Sequence, residues 1–246
     1  MGHESSSEQG GDPVHLIDRT TLPDGDELFL LRCGDDWAIH LGDQELMGST
    51  DHTSEEALAR FAADRVPSLD GKVLIGGLGM GFTLGAALDA WADDAQVEVA
   101  ELVPAVVNWA QGPLAHIFGN KLSDPRLVMT IADVHDVIDR ASDHYDAILL
   151  DVDNGPDGMV QTANERLYCN WGLRSAHSAL RAGGVLAVWS AYRDDHFANR
   201  LRDADFAVEQ IMVPAFSDGG PEQHCIWLAA KTGGDEQKSP KNMGQN

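Results

Sequence analysis

The chain has 246 residues, 43% of them hydrophobic, and a formal net charge of −23 from 40 acids against 17 bases. That length and composition suffice for one sizeable core with a small appendage. The acidity argues against nucleic acid and anionic membrane surfaces as partners, since both are gripped through Lys and Arg. No apolar run approaches the ~20 residues that span a bilayer. Met1 to Glu8 carry neither the basic nor the apolar stretch of a secretory leader. Cys33, Cys169 and Cys225 are far apart and form no C-x-x-C pair, which fits a cytoplasmic setting rather than a disulfide or zinc frame. The ten histidines show no H-E-x-x-H spacing, so no metal is expected. The acidity has two readings, solubility or a field that steers a cationic acceptor.

Residues 1–12 are polar and rich in Gly and Ser, which predicts disorder. Across 13–50, short alternating segments at 14–17, 27–32, 37–41 and 44–47 are separated by Asp24-Gly25, Gly34-Asp35 and Gly42-Asp43. That pattern predicts a small N-terminal antiparallel β-meander. So small a sheet cannot easily stand alone. It is expected to pack on the main domain or on a second subunit, making a homodimer.

The main α/β domain is read over 51–231, with a disordered tail at 232–246. Thr53 and Glu56 read as a capping box opening a helix over 55–65. Asp51, His52 and Glu55 are either helix-start chemistry or a polar cluster beside a cleft. Residues 72–75 read as a buried strand running into Gly76, Gly77, Gly79 and Gly81, with a helix from Phe82. A glycine turn there lets a ligand lie against bare backbone at the positive end of the helix. Gly77-x-Gly79-x-Gly81 is tighter than the G-x-G-x-x-G of dinucleotide sites, which disfavours an NAD-linked oxidoreductase. The next strand, 97–100, ends at Glu101, whose carboxylate can accept both hydroxyls of a ribose. A tight loop followed by an acid suits a nucleoside with a short amino-acid tail, such as S-adenosylmethionine.

A helix begun by Pro104 breaks at Gly112-Pro113. Strand 127–131 leads to Asp133-Val134, and strand 145–150 leads to Asp151. A loop rich in Gly and Asp precedes a helix over 165–181 that Gly183-Gly184 is expected to close. Strand 185–190, helix 194–204 and a hairpin of 208–213 with 224–230 follow. This alternation predicts an α/β fold: a doubly wound, mostly parallel seven-stranded, Rossmann-like sheet with one antiparallel edge strand. In such sheets ligands bind at the carboxyl ends of the strands. Four consecutive strands end in Gly76-Gly77, Glu101, Asp133 and Asp151, and that regularity is the strongest functional signal in the chain.

Those residues, with Asp124-Pro125-Arg126, Tyr145-Asp146, Gly155-Pro156, Leu167-Tyr168 and the Ser49 to Ser54-Glu55 segment, resemble class I S-adenosylmethionine-dependent transferases. Within that group the chain resembles the spermidine synthase-like proteins over about residues 26–230. The resemblance implies that the backbone of Gly76, Gly77, Gly79 and Gly81 carries the nucleoside and methionine portion. It implies that Glu101, with Leu102 beside it, holds the ribose, and that Asp133 takes the adenine amino group with Val134 against the ring. Asp151 would face the sulfonium and the nucleophile.

Aminopropyltransferases of that family usually carry Asp where Gly79 stands. They also have a longer acidic loop than 151–156, and a Tyr that 54–61 lacks. The expected activity is therefore methyl transfer from S-adenosylmethionine to a small-molecule or short peptide-like acceptor, cationic if the acidity steers it. One alternative is a polyamine aminopropyltransferase using decarboxylated S-adenosylmethionine; the other is a non-catalytic adenosyl-binding module. Asp151 is the expected base. Asp153 and Asn154 either position the acceptor or build a turn. His52, Glu55, Tyr168 and Trp189 are the expected acceptor contacts; Tyr168 and Trp171 would form an aromatic wall, although helix residues of this kind are more often core.

Overall fold

The computed structural model describes residues 12–22, 25–152, 165–217 and 220–232. They form two compact units, one ending at Thr50 and one beginning at Asp51. The first is a four-stranded antiparallel sheet of β1 (Val14–Thr21), β2 (Glu27–Cys33), β3 (Asp36–Leu41) and β4 (Gln44–Gly48), in that order. Period-two alternation puts Leu28 and Leu30 with Trp37, Ile39 and Leu41 on one face, all of them buried.

The second unit has a seven-stranded sheet. Its strands are β5 (Lys72–Gly76), β6 (Gln96–Glu101), β7 (Leu127–Ile131), β8 (Tyr145–Leu150), β9 (Leu180–Ser190), β10 (Phe206–Pro214) and β11 (Gln223–Lys231). Their order is β10-β11-β9-β8-β5-β6-β7. The helices are α1 (Thr53–Ala63), α2 (Phe82–Ala90), α3 (Pro104–Gln111), α4 (Ala115–Phe118), α5 (Val134–Asp139), α6 (Glu165–Tyr168), α7 (Asn170–Ala179) and α8 (Asp195–Asp203). Strands β5, β8 and β9 are apolar and buried because they lie centrally in a sheet covered on both faces. Val73, Leu74 and Ile75 are each fully buried, and such side chains contribute roughly 1.5–3 kcal/mol apiece. Beneath the sheet's rim, Glu98 accepts hydrogen bonds from Thr130 and Tyr145, both at 2.9 Å.

Four details differ from the sequence reading. The single antiparallel strand is β11, and it lies inside the sheet, pairing with both β9 and β10; β10 is the edge. The long helix expected over 165–181 is two helices, because Cys169 adopts extended backbone (φ −75°, ψ 164°) between them. Strand β9 starts at Leu180, which is fully buried and pairs with Tyr145, so Gly183-Gly184 lie within the strand at a register shift. The capping box is not formed. His52 occupies the N-cap position of α1 with no side-chain cap, and Glu56 instead bonds Arg60 and lies 2.8 Å from His52 Nδ1.

The turn between β5 and α2 depends on Gly81. Its φ is +76°, and a Cβ there would sit 2.3 Å from the Phe118 ring. Gly81→Ala therefore combines left-handed strain with overpacking of a residue that is itself 1% exposed. It should cost about 2–4 kcal/mol of unfolding free energy, read from urea denaturation. An unchanged midpoint would show that the turn relaxes freely.

Candidate active site

The chain runs from β5 outward through β6 and β7, then returns to the other side of β5 as β8. The reversal makes a topological switch point between β5 and β8, the place where open α/β sheets take their ligands. Along that edge the strand ends fall in the order Asp151, Gly76-Gly77, Glu101 and Asp133. Backbone bonds hold them in line: Asp151 N to Gly76 O at 3.3 Å, Gly77 N to Ala100 O at 2.9 Å, and Ala132 N to Glu101 O at 3.0 Å.

Glu101 is 6% exposed, and its carboxylate ties two loops together. Oε2 accepts from Leu78 N at 2.8 Å, within the glycine loop, and Oε1 accepts from Val103 N at 2.7 Å, ahead of α3. Burial raises its pKa, while the N–H groups of Leu78, Val103, Leu102 and Gly79 pull the other way. Leu102 is 41% exposed, whereas Val134 is buried with its methyls against Gly76. Asp133 caps α5 through His135 N at 2.9 Å and pairs with Arg166. Asp124 and Arg126 form a part-buried bidentate pair, and Arg126 also reaches Trp91 O at 3.0 Å. That motif fastens the end of α2.

Asp151 meets a second group of side chains. Its Oδ2 accepts from Thr83 Oγ1 at 2.6 Å, in the first turn of α2. Burial, then the charge of Glu55, push its pKa from 3.8 to about 7, against the lowering effect of the Thr83 bond. Burial also raises Glu55, which accepts from Ser54 Oγ at 2.7 Å. Ser54 Oγ in turn lies 2.9 Å from His224 Nδ1 on β11. The His224 ring meets Trp189 edge-on, with centroids 4.7 Å apart. The Trp189 indole N–H is buried and has no partner among the described residues.

His52 stacks on Phe82 with ring centroids 4.0 Å apart. Beside that stack, Glu56, Arg60, Asp89 and Lys121 line a cavity of about 330 Å³.

The edge thus brings together Gly76, Gly77, Glu101 and Asp151, and it places Glu55 beside Asp151. Trp189 joins Glu55 only by way of His224 and Ser54. Tyr168 is elsewhere: it is 1% exposed, packs edge-on against Phe197, and spends its hydroxyl on Val152 O at 3.3 Å. The aromatic wall expected of it is core. Asp153 and Asn154 lie outside the described residues. Thr83 and His224 were not singled out from sequence, and Ser54 was named only within the Ser49 to Glu55 segment, with no role given to it. Thr83 carries a weak local signal, as the second residue of the helix that follows a glycine loop, whereas nothing near His224 in sequence marks it. Among the described residues no group of three His, Cys, Asp or Glu could hold a metal, and no helix is long and apolar enough to cross a membrane.

This arrangement is a Rossmann-like α/β fold, a mostly parallel seven-stranded sheet with its functional edge at the strand ends around β5. No family model and no curated protein matches the chain. Among solved structures it is similar to the spermidine synthase of Thermotoga maritima, with TM-score 0.71 and 18% identity, covering 88% of this chain and 72% of that one. A spermidine synthase in complex with the transition state analogue AdoDATO gives TM-score 0.69 and 19% identity over the same shares. A probable spermidine synthase from Corynebacterium glutamicum gives 0.60 and 14%, covering 89% of this chain and 80% of that one. The chain has the spermidine synthase-like fold, a four-stranded antiparallel sheet preceding a Rossmann-like seven-stranded one.

Two measurements follow from this geometry. Glu101→Ala leaves the Leu78 and Val103 amides without their acceptor, which should cost about 2–4 kcal/mol; unchanged urea unfolding would remove the clamp. Asp151 binds its proton more tightly folded than unfolded, so its contribution to stability is present at low pH and is lost as pH rises from about 4 to about 7. Asp151→Asn should therefore gain in urea midpoint over the wild type across that window. A constant difference at every pH would place the raised group elsewhere.

Proposed function

We propose that the protein is an S-adenosylmethionine-dependent transferase in which Asp151 takes the proton of the acceptor nucleophile. The observation that carries this reading is Asp151 itself. It is a carboxyl held near neutral pKa by burial and by Glu55, at the switch point of the sheet and beside a bare glycine turn. A general base works best with a pKa near the operating pH and contributes roughly 10²–10⁴-fold.

The edge suits an adenosyl sulfonium in two respects. Gly77 has φ +86°, and a Cβ there would lie 3.0 Å from the Asp151 carbonyl oxygen, so bare backbone lines that side. An ionised carboxylate offers about four acceptor sites, so Glu101 retains capacity for ribose hydroxyls beyond its two short N–H bonds. Gly76, Gly79, Gly81 and Leu102 complete that wall, while Asp133 and Val134 stand where the adenine would lie. The bound cofactor supplies an electrophilic carbon next to sulfur. The protein's own task is to align the nucleophile, which can be worth roughly 7–11 kcal/mol, and to receive its proton. Glu55 and His52 stand on the acceptor side, with Asp153 and Asn154 following Asp151 in the chain.

Methyl transfer to a small-molecule or short peptide-like acceptor is the preferred form, because Gly79 puts no carboxylate in the loop. Aminopropyl transfer from decarboxylated S-adenosylmethionine is the second form, supported by the likeness to spermidine synthases. Calorimetry should find S-adenosylmethionine bound more tightly than its decarboxylated form, and the reverse order would establish the second form. Glu101→Ala should weaken that binding by more than about tenfold, a loss of over ~1.4 kcal/mol. Asp151→Asn should lower turnover by about 10²–10⁴-fold with cofactor affinity nearly unchanged. Tight binding without turnover of any amine, hydroxyl or carboxyl acceptor would leave a non-catalytic adenosyl-binding module.

A further inference from the structure

Behind Asp151 and Glu55 lies a line of contacts that nucleophile alignment does not require. Ser54 is 1% exposed, and its oxygen is 2.7 Å from Glu55 Oε2 and 2.9 Å from His224 Nδ1. His224 arrives from β11, 170 residues further along the chain. The groups around it are Ser54 from α1, Trp189 from β9 and Glu222, which immediately precedes β11. Those around Glu55 are Ser54, His52 and Glu56 on α1, Asp151 after β8, and Thr83 of α2, whose hydroxyl lies 3.4 Å from the Glu55 carbonyl oxygen.

A hydroxyl has one hydrogen, and that makes its two neighbours depend on each other. With Glu55 ionised, Ser54 donates to it and must accept from a hydrogen on His224 Nδ1. With Glu55 protonated, the carboxyl donates to Ser54, whose own hydrogen turns to a bare Nδ1. The imidazole tautomer and the charge on Glu55 are thus linked through a buried oxygen that has no room for a compromise. We propose that Ser54 and His224 are positioning residues that keep the charge of the carboxyl pair on Glu55, leaving Asp151 to receive the proton. This inference rests on the reading of Asp151 as proton acceptor.

The direction of the effect follows from the electrostatics. The Ser54 bond favours ionised Glu55, and ionised Glu55 repels charge on Asp151, making it the stronger base. Removing the donor at Nδ1 moves the proton toward Glu55, and Asp151 then ionises at lower pH. Burial lowers the His224 pKa despite Glu222, which favours the neutral ring and leaves its tautomer as the variable.

The test compares His224→Leu, which removes the donor, with His224→Asn, whose amide nitrogen can stand near the place of Nδ1. In cofactor-free protein, carbon NMR of the carboxyl groups should show Asp151 titrating about one unit lower in His224→Leu and near its original position in His224→Asn. Nitrogen NMR of the wild type should show His224 protonated at Nδ1 above pH 7. In turnover, the acid limb of the pH profile should move down with the Asp151 titration and the plateau should fall by about 3–10-fold. Cofactor affinity should be unchanged. Identical carboxyl titrations in wild type and His224→Leu, or an Nε2–H tautomer, would overturn the inference while leaving the transferase reading intact. A protein that shows the carboxyl coupling but never turns over would instead count against the transferase reading alone.

Discussion

One buried carboxylate keeps the functional edge in shape. Glu101 accepts backbone hydrogens from the glycine loop on one side and from the start of α3 on the other. Glycine turns are permissive, so they need an external reason to hold a single conformation. Charge-assisted bonds to a carboxylate are roughly twice as strong as neutral ones, and here they act where water is excluded. The same group that is expected to meet a ribose therefore also shapes the loop around it. On the proposed reading, ribose binding and loop order cannot be changed independently at this position.

The acids along the edge have been divided by their surroundings into different tasks. Glu101 is surrounded by amides, and Asp133 by a helix start and Arg166, so both are held by donors. Asp151 has one hydroxyl and a neighbouring carboxyl, which leaves it near neutrality. Similar chemistry at adjacent strand ends thus yields two carboxyl groups engaged by N–H donors and one, Asp151, pushed up to about 7 by burial and the Glu55 charge.

The legible parts of the chain were those whose cause is local. The glycine turn, the Pro104 helix start and the strands feeding Glu101 and Asp151 each announce themselves within a dozen residues. The helix expected over 165–181 was misjudged because Cys169 interrupts it without any Gly or Pro to signal the break. The position of β11 was missed for a different reason: a hairpin pattern says that two strands pair, not which of them turns inward. Tyr168 shows the same limit, since a helical aromatic is equally compatible with core and cleft until its neighbours are known. Ser54 and His224 are the extreme case. They meet only because the sheet order carries β11 beside β9, and no spacing rule connects positions 170 residues apart.

The inward placement of β11 also governs assembly. Strand β10 is made before β11 but has no neighbour in the sheet until β11 enters between it and β9. Strand β10 can therefore join the sheet only with β11, as a local hairpin whose inner strand is inserted against β9. That insertion delivers His224 to Ser54, so the polar line behind the site is completed by the same event that seals the sheet.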